Sequence, residues 1–384
     1  MTLDCETVVG TPSSTNSSAW YLWSVIAAAT LYDVGFYWDI SWHQTIGRDS
    51  FLTPAHIAIY LCGVIGGTAS ALIIFRTTFG SHEAARAASV RIWGLRGPLG
   101  AFVVAWGGLL MLTSGPFDNW WHNAYGLDAK LNSPPHWVLT TGVFAIQIGG
   151  IVLVSGILNR RPPPPRHTLE WIPLHLGAMV VAIPLALVNN RVLQHSAIFF
   201  VAVSAAVPIV MLAVATVSER RWACTTLAAI YSAFVLGFLW ILPLFHGSPG
   251  LGPVYRSITQ FVPPSFPVLL IVPSYFIDRA RAKWPAQSLW LRAAIYGGLF
   301  VIVLAFVQWP FADFLMSAYS RNWIFGTQHL PYFIPPSARL ARNEFLLEKN
   351  SLQLLGGMVV AFCTAVAGSR LGLTAGNWLR RVRR

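Results

Sequence analysis

Ten stretches of about 20 mostly apolar residues recur along the chain, near 19–38, 54–76, 98–114, 135–157, 170–189, 194–217, 222–245, 264–278, 288–310 and 352–373. A helix of that length matches the roughly 30 Å hydrocarbon core of a bilayer. Helix is also the conformation that satisfies every backbone N–H and C=O where no water can. Composition agrees: of 384 residues 55% are hydrophobic and 10% charged, and the mean hydropathy is +0.57. Too few polar side chains remain to cover a soluble enzyme, and too many apolar ones for a disordered tail. The expected fold class is all-α, a polytopic transmembrane helix bundle of about ten spans.

The loops carry the orientation signal. Arg76, Arg86, Arg91 and Arg96 follow the second run; Arg160, Arg161 and Arg166 the fourth; Arg279, Arg281 and Lys283 the eighth; Arg380, Arg381, Arg383 and Arg384 end the chain. Every even-numbered loop and the C-terminal tail are therefore basic, and the positive-inside rule predicts both termini in the cytoplasm, with the odd loops outside. The formal charge of +12 is accounted for in this way, together with attraction to anionic headgroups, so the partner it implies is the lipid bilayer and not nucleic acid. The N-terminus lacks a basic n-region and a small-residue cleavage site, so the first run is expected to stay as a helix. The expected location is a bacterial inner membrane. Cys5, Cys62, Cys224 and Cys363 are too scattered to point to disulfides or a thiolate site.

The polar residues with chemistry in them lie at the outward loops of the first half. Asp39, His43 and His56 flank the first such loop, and Asp118, His122 and His136 flank the second. Each loop ends in a proline that opens the next helix, at Thr53-Pro54-Ala55-His56 and Ser133-Pro134-Pro135-His136, where a missing N–H costs nothing. Pro263-Pro264-Ser265 and Pro335-Pro336-Ser337 look like degenerate copies, and His246 and His329 near them have no Asp four residues upstream. The Pro162 to Pro165 run reads as a stiff hinge between a ligand-bearing half, 1–161, and a second transmembrane half, 162–384.

Asp39 and His43, like Asp118 and His122, are four residues apart and share one helix face a turn apart. A short loop back to His56, thirteen residues on, or to His136, fourteen on, brings a carboxylate and two imidazoles together at the membrane boundary. With eight Asp and ten His, random placement gives on the order of 0.2 Asp-x3-His pairs, so two pairs each followed by a similarly spaced His are not accidental. Ionisable groups at membrane depth are costly, and ligation offsets that cost. Nitrogen and oxygen donors without Cys or Met suit copper, zinc or non-haem iron. Asp33, inside the first run, is expected to serve as an acceptor for a ligand imidazole or on a proton path. Trp38, Trp42, Trp120, Trp121 and Trp137 form either an interfacial belt or the wall of a substrate pocket.

The stretch from Asp39 through Trp42-His43-Gln44 and Arg48-Asp49 to Thr53-Pro54-Ala55-His56 resembles the copper-site signature in one of the membrane-embedded subunits of the copper membrane monooxygenases, the particulate methane and ammonia monooxygenase family. The resemblance implies Asp39, His43 and His56 as copper ligands. Asp118, His122 and His136 match the spacing of that family's second metal position, with Asp118 in place of its Asn, an extra negative charge that favours a divalent ion. The likeness covers roughly 20–157; nothing after the proline run matches, and no soluble copper-binding domain is present. It implies a fused or stand-alone relative, a component of a copper-dependent oxygenase that takes a small apolar substrate from the bilayer, with other membrane subunits as partners. The alternative is a membrane protein that binds or transports copper or zinc without catalysis. The residues by themselves fix neither the metal nor whether the chain is an enzyme.

Overall fold

The computed structural model describes residues 19–47, 52–126, 133–160, 169–189, 194–250, 258–284, 287–329 and 348–384. The proline hinge, Arg48 and Asp49, and the Pro335-Pro336-Ser337 copy lie outside these residues. The helices are α1 (Ala19–Thr45), α2 (Pro54–Phe79), α3 (Glu83–Ala87), α4 (Leu99–Tyr125), α5 (Pro134–Leu158), α6 (Trp171–Asn189), α7 (Ala197–Ser218), α8 (Ala223–Ile241), α9 (Ile271–Lys283), α10 (Leu289–Met316) and α11 (Ser351–Leu379). Eight of them, α2, α4 to α8, α10 and α11, are long and apolar enough to cross a membrane. The protein is a multi-pass membrane helix bundle. A small antiparallel hairpin, β1 (Val90–Ile92) and β2 (Leu95–Gly97), turns through Trp93 and Gly94 between α3 and α4.

Local chemistry sets the helix starts. Thr53 caps α2 by accepting from the His56 N–H at 3.1 Å, Asn350 does the same for α11 from Gln353 at 2.9 Å, and Pro54 and Pro134 open α2 and α5. Small residues set the packing, as membranes favour, because lipid gives no hydrophobic drive between helices. A Cβ on Gly107 of α4 would lie 2.6 Å from the Gly142 carbonyl of α5, and one on Gly108 would lie 2.7 Å from the Gly67 Cα of α2. These helices touch backbone to backbone. One continuous apolar core runs through both halves of the chain, from Val25 and Ala28 on α1 through Ile146, Met179 and Val207 to Tyr296 and Ala365.

Hydrogen bonds tie the helix ends into two poles. At one pole Asn159 donates to the carbonyls of Leu379 (2.8 Å) and Val382 (2.6 Å), Arg380 donates to Thr216 (2.6 Å), and Arg281 donates to Ala215 (2.7 Å). Arg76 lies over Trp20 there too, so the start of α1, the end of α2 and the end of α11 share the basic pole. The first polar loop and its ligands lie at the other pole.

The expected span at 264–278 takes a different form. Residues 258–270 are extended, and α9, at 13 residues and about 20 Å, is too short to cross alone. Pro263, Pro264 and Pro267 explain this, since each lacks an N–H and biases the residue before it away from the helix. Irregular backbone survives at such depth only where protein satisfies it. Thr45 Oγ1 accepts from Val262 N (2.9 Å), Ser41 Oγ donates to Val262 O (2.6 Å), Asn189 donates to Phe266 O (2.8 Å), and Gln308 accepts from Leu269 N (3.0 Å). The segment 258–284 thus runs from the polar-loop pole to the basic one as a strap followed by a short helix.

Candidate metal centre

α1 continues to Thr45, well beyond its apolar run, and so keeps Asp39 and His43 on one face in its last two turns. His43 Nε2 lies 3.6 Å from Asp39 Oδ2. The capped, proline-opened first turn of α2 aims His56 back, its Nε2 3.2 Å from Asp39 Oδ1. Gly35, one turn before Asp39, permits this approach: a Cβ there would lie 2.8 Å from Ile59 Cγ1 and 3.0 Å from the Ala55 carbonyl.

Among the described residues, Asp39, His43 and His56 are the one trio of potential ligands whose donor atoms all lie within 4.8 Å of one another. Donors bound to one ion at about 2.1 Å can be at most about 4.2 Å apart. A shift of a few tenths of an ångström closes the trio, well within rotamer freedom. Asp39 Oδ1 is buried and, although the His56 imidazole is near, it accepts no hydrogen bond, an arrangement that a cation relieves. Asp39 and His56 are mostly covered while His43 is 40% exposed, so the trio opens outward on one side. The donor set fits a divalent transition metal with positions to spare.

The second constellation is assembled in part. His122 Nε2 lies 3.3 Å from Asp118 Oδ2, and Asp118 Oδ1 is also buried without a hydrogen bond. His136 Nδ1 pairs with the Ser133 hydroxyl at 2.6 Å, and the three side chains do not converge as the first trio does. Asp128 and Lys130, in the same loop, lie outside the described residues.

Both constellations face one cavity of about 180 Å³, which Asp39 and His56 line from one side and Asp118 and His136 from another. Its other walls are Tyr32, Phe36, Ile59, Tyr60 and Phe144, with Ile183 and Leu187 of α6. None of the five tryptophans near the motifs lines it; Trp120 and Trp137 are exposed, Trp38 stacks edge-on against Trp42, and Trp42 meets Phe261. The wall residues escaped sequence reasoning, yet a signal existed. Phe36 and Tyr32 precede Asp39 by three and seven residues, and Ile59 and Tyr60 follow His56 by three and four, all helical spacings on the ligand face.

Asp33 is fully buried and accepts from Gln147 Nε2 at 2.7 Å, so the carboxylate is engaged by an amide of α5 where a ligand imidazole was expected. His175 pairs with Thr30 Oγ1 at 2.8 Å, and His195 lies 3.1 Å from both the Trp309 carbonyl and Asp313 Oδ1. Both histidines are packing residues, as their isolation in the sequence implies. No protein-family model, curated protein or solved structure matches the chain.

Proposed function

We propose that the chain is a copper-binding integral membrane protein, a component of a copper-dependent membrane monooxygenase that acts on a small apolar substrate. Its N-terminal half is read as a relative of the copper-site-bearing membrane subunit of the copper membrane monooxygenases. One observation carries this reading: a carboxylate and two imidazoles within ligation reach open onto an apolar-walled cavity. Asp39, His43 and His56 hold the ion, and Asp118, His122 and His136 offer a second position. Copper there supplies one-electron redox chemistry with open coordination positions.

The rest is done by the chain itself. Tyr32, Phe36, Phe144, Ile183 and Leu187 exclude water and receive an apolar molecule. At about 180 Å³ the cavity is below the range of drug-sized sites and suits a small substrate. With the strap and α9 counted as one crossing, the chain passes through a bacterial inner membrane ten times. The basic pole then faces the cytoplasm with both termini, and the metal centre faces outward.

The test is metal analysis with electron paramagnetic resonance on protein extracted from membranes. The expected content is about one to two copper ions per chain, with nitrogen-coordinated Cu(II). Asp39→Ala combined with His43→Ala removes at least one ion. A double variant that stays fully loaded overturns the site. Copper or zinc flux into liposomes without substrate-dependent oxygen consumption favours capture or transport over oxidation.

A further inference from the structure

At the basic pole, away from the metal centre, α9 and α10 border an open groove of about 410 Å³. Phe276, Ala280 and Leu299 form its apolar length, and Arg279, Lys283 and Trp284 stand at its end. Arg279 and Lys283 are four residues apart on α9, so both cations project from one face a turn apart. Both are exposed. Arg279 has no hydrogen bond or ion pair among the described residues, and Lys283 Nζ sits 5.0 Å over the Trp284 ring.

The one acid on α9 does not neutralise them. Asp278 is buried and is occupied by Cys224 N (3.2 Å), Thr225 N and Oγ1 (both 2.8 Å) and Arg281 (2.9 Å). The outer face of α9 is otherwise apolar and exposed, with Ile271, Val272, Tyr275 and Phe276 uncovered. A helix with that face in a multi-pass bundle meets lipid. Its two exposed cations lie one to two turns further along, at the depth where headgroups begin.

We infer that this groove seats an anionic phospholipid, its phosphate held between Arg279 and Lys283 and an acyl chain lying along Phe276, Ala280 and Leu299. The charges select an anionic headgroup, and the apolar length selects a tethered chain over free phosphate. Trp284 beside Lys283 gives the interfacial ring that such a boundary favours. The inference is independent of the metal reading.

Native mass spectrometry of the full chain, titrated with phosphatidylglycerol or phosphatidylcholine, tests it. The wild type is expected to retain phosphatidylglycerol preferentially. Arg279→Gln with Lys283→Gln is expected to weaken that binding by about 25-fold, or about 5-fold per cation. Arg220→Gln with Arg221→Gln removes the same charge from the same pole outside the groove and is expected to leave the binding unchanged. Phe276→Ala is expected to weaken it while leaving selectivity for the anionic headgroup. The inference is overturned if phosphatidylcholine is retained equally, if both charge variants lose binding alike, or if inorganic phosphate displaces the lipid at similar concentration. Unchanged thermal unfolding of each variant separates lost binding from lost folding.

Discussion

Gly35 is where one missing side chain decides whether a site exists. Two helices carry the ligands, and the Asp39 to His56 distance of 3.2 Å requires their backbones to approach within van der Waals contact one turn below. The neighbours of a Cβ at position 35 include the Ile59 N–H at 2.9 Å, backbone that no rotamer change can move. Gly35→Ala is therefore expected to force α1 and α2 apart, cost about 1–3 kcal/mol of stability, and reduce bound copper. Gly237, on α8, has nothing within 4 Å of its built Cβ. Gly237→Ala is expected to be neutral or slightly stabilising through helix propensity, by up to about 1 kcal/mol, with copper unchanged. Thermal unfolding and metal content measured on both variants check the pair; equal behaviour would discount the close approach.

The short helix α9 and the strap before it show how an element too short to span can still be fixed. The Asp278 carboxylate accepts from the first N–H groups of α8, and Arg281, bonded to Asp278 at 2.9 Å, accounts for the last turn of α7 through Ala215. Two helix ends that would otherwise leave polar groups unpaired are closed by one ion pair. Removing the buried acid strands Arg281 and reopens the α8 start. Asp278→Ala is expected to destabilise the protein by about 3–5 kcal/mol, read as a large fall in midpoint temperature in detergent. An unchanged midpoint would mean that α9 is held by its apolar contacts alone. The strap is held differently, through Thr45, Asn189 and Gln308, side chains from three separate helices.

For the molecule as a whole, polarity and chemistry are separated along the bundle axis. Arg160, Arg281 and Arg380 bond carbonyls at one pole, while Asp39, His43 and His56 converge at the other. Such separation is what an excess of cations on the cytoplasmic side requires. A green fluorescent protein fused after Arg384 is expected to fluoresce, and alkaline phosphatase fused there to stay inactive. The reverse result would turn the metal centre toward the cytoplasm. A single core through both halves further implies cooperation across the hinge position, for Ile183 and Leu187 of the second half wall the cavity that serves the ligands of the first.

The sequence by itself determined the all-α membrane class, because run length against bilayer thickness leaves no other backbone solution. It also determined the pairs Asp39 with His43 and Asp118 with His122, because helical pitch fixes what lies four residues away. Thr53 and Pro54 announced where α2 begins, since capping is local. Only the tertiary structure decided that His56 meets its pair while His136 stands apart with Ser133, that 258–270 is a strap, and that α6 closes the cavity. Those outcomes depend on how closely and at what rotation two helices pack. That is set by side-chain volume at contacts far apart in the chain, Gly35 against Ala55 and Ile59 among them, and no local periodicity encodes it.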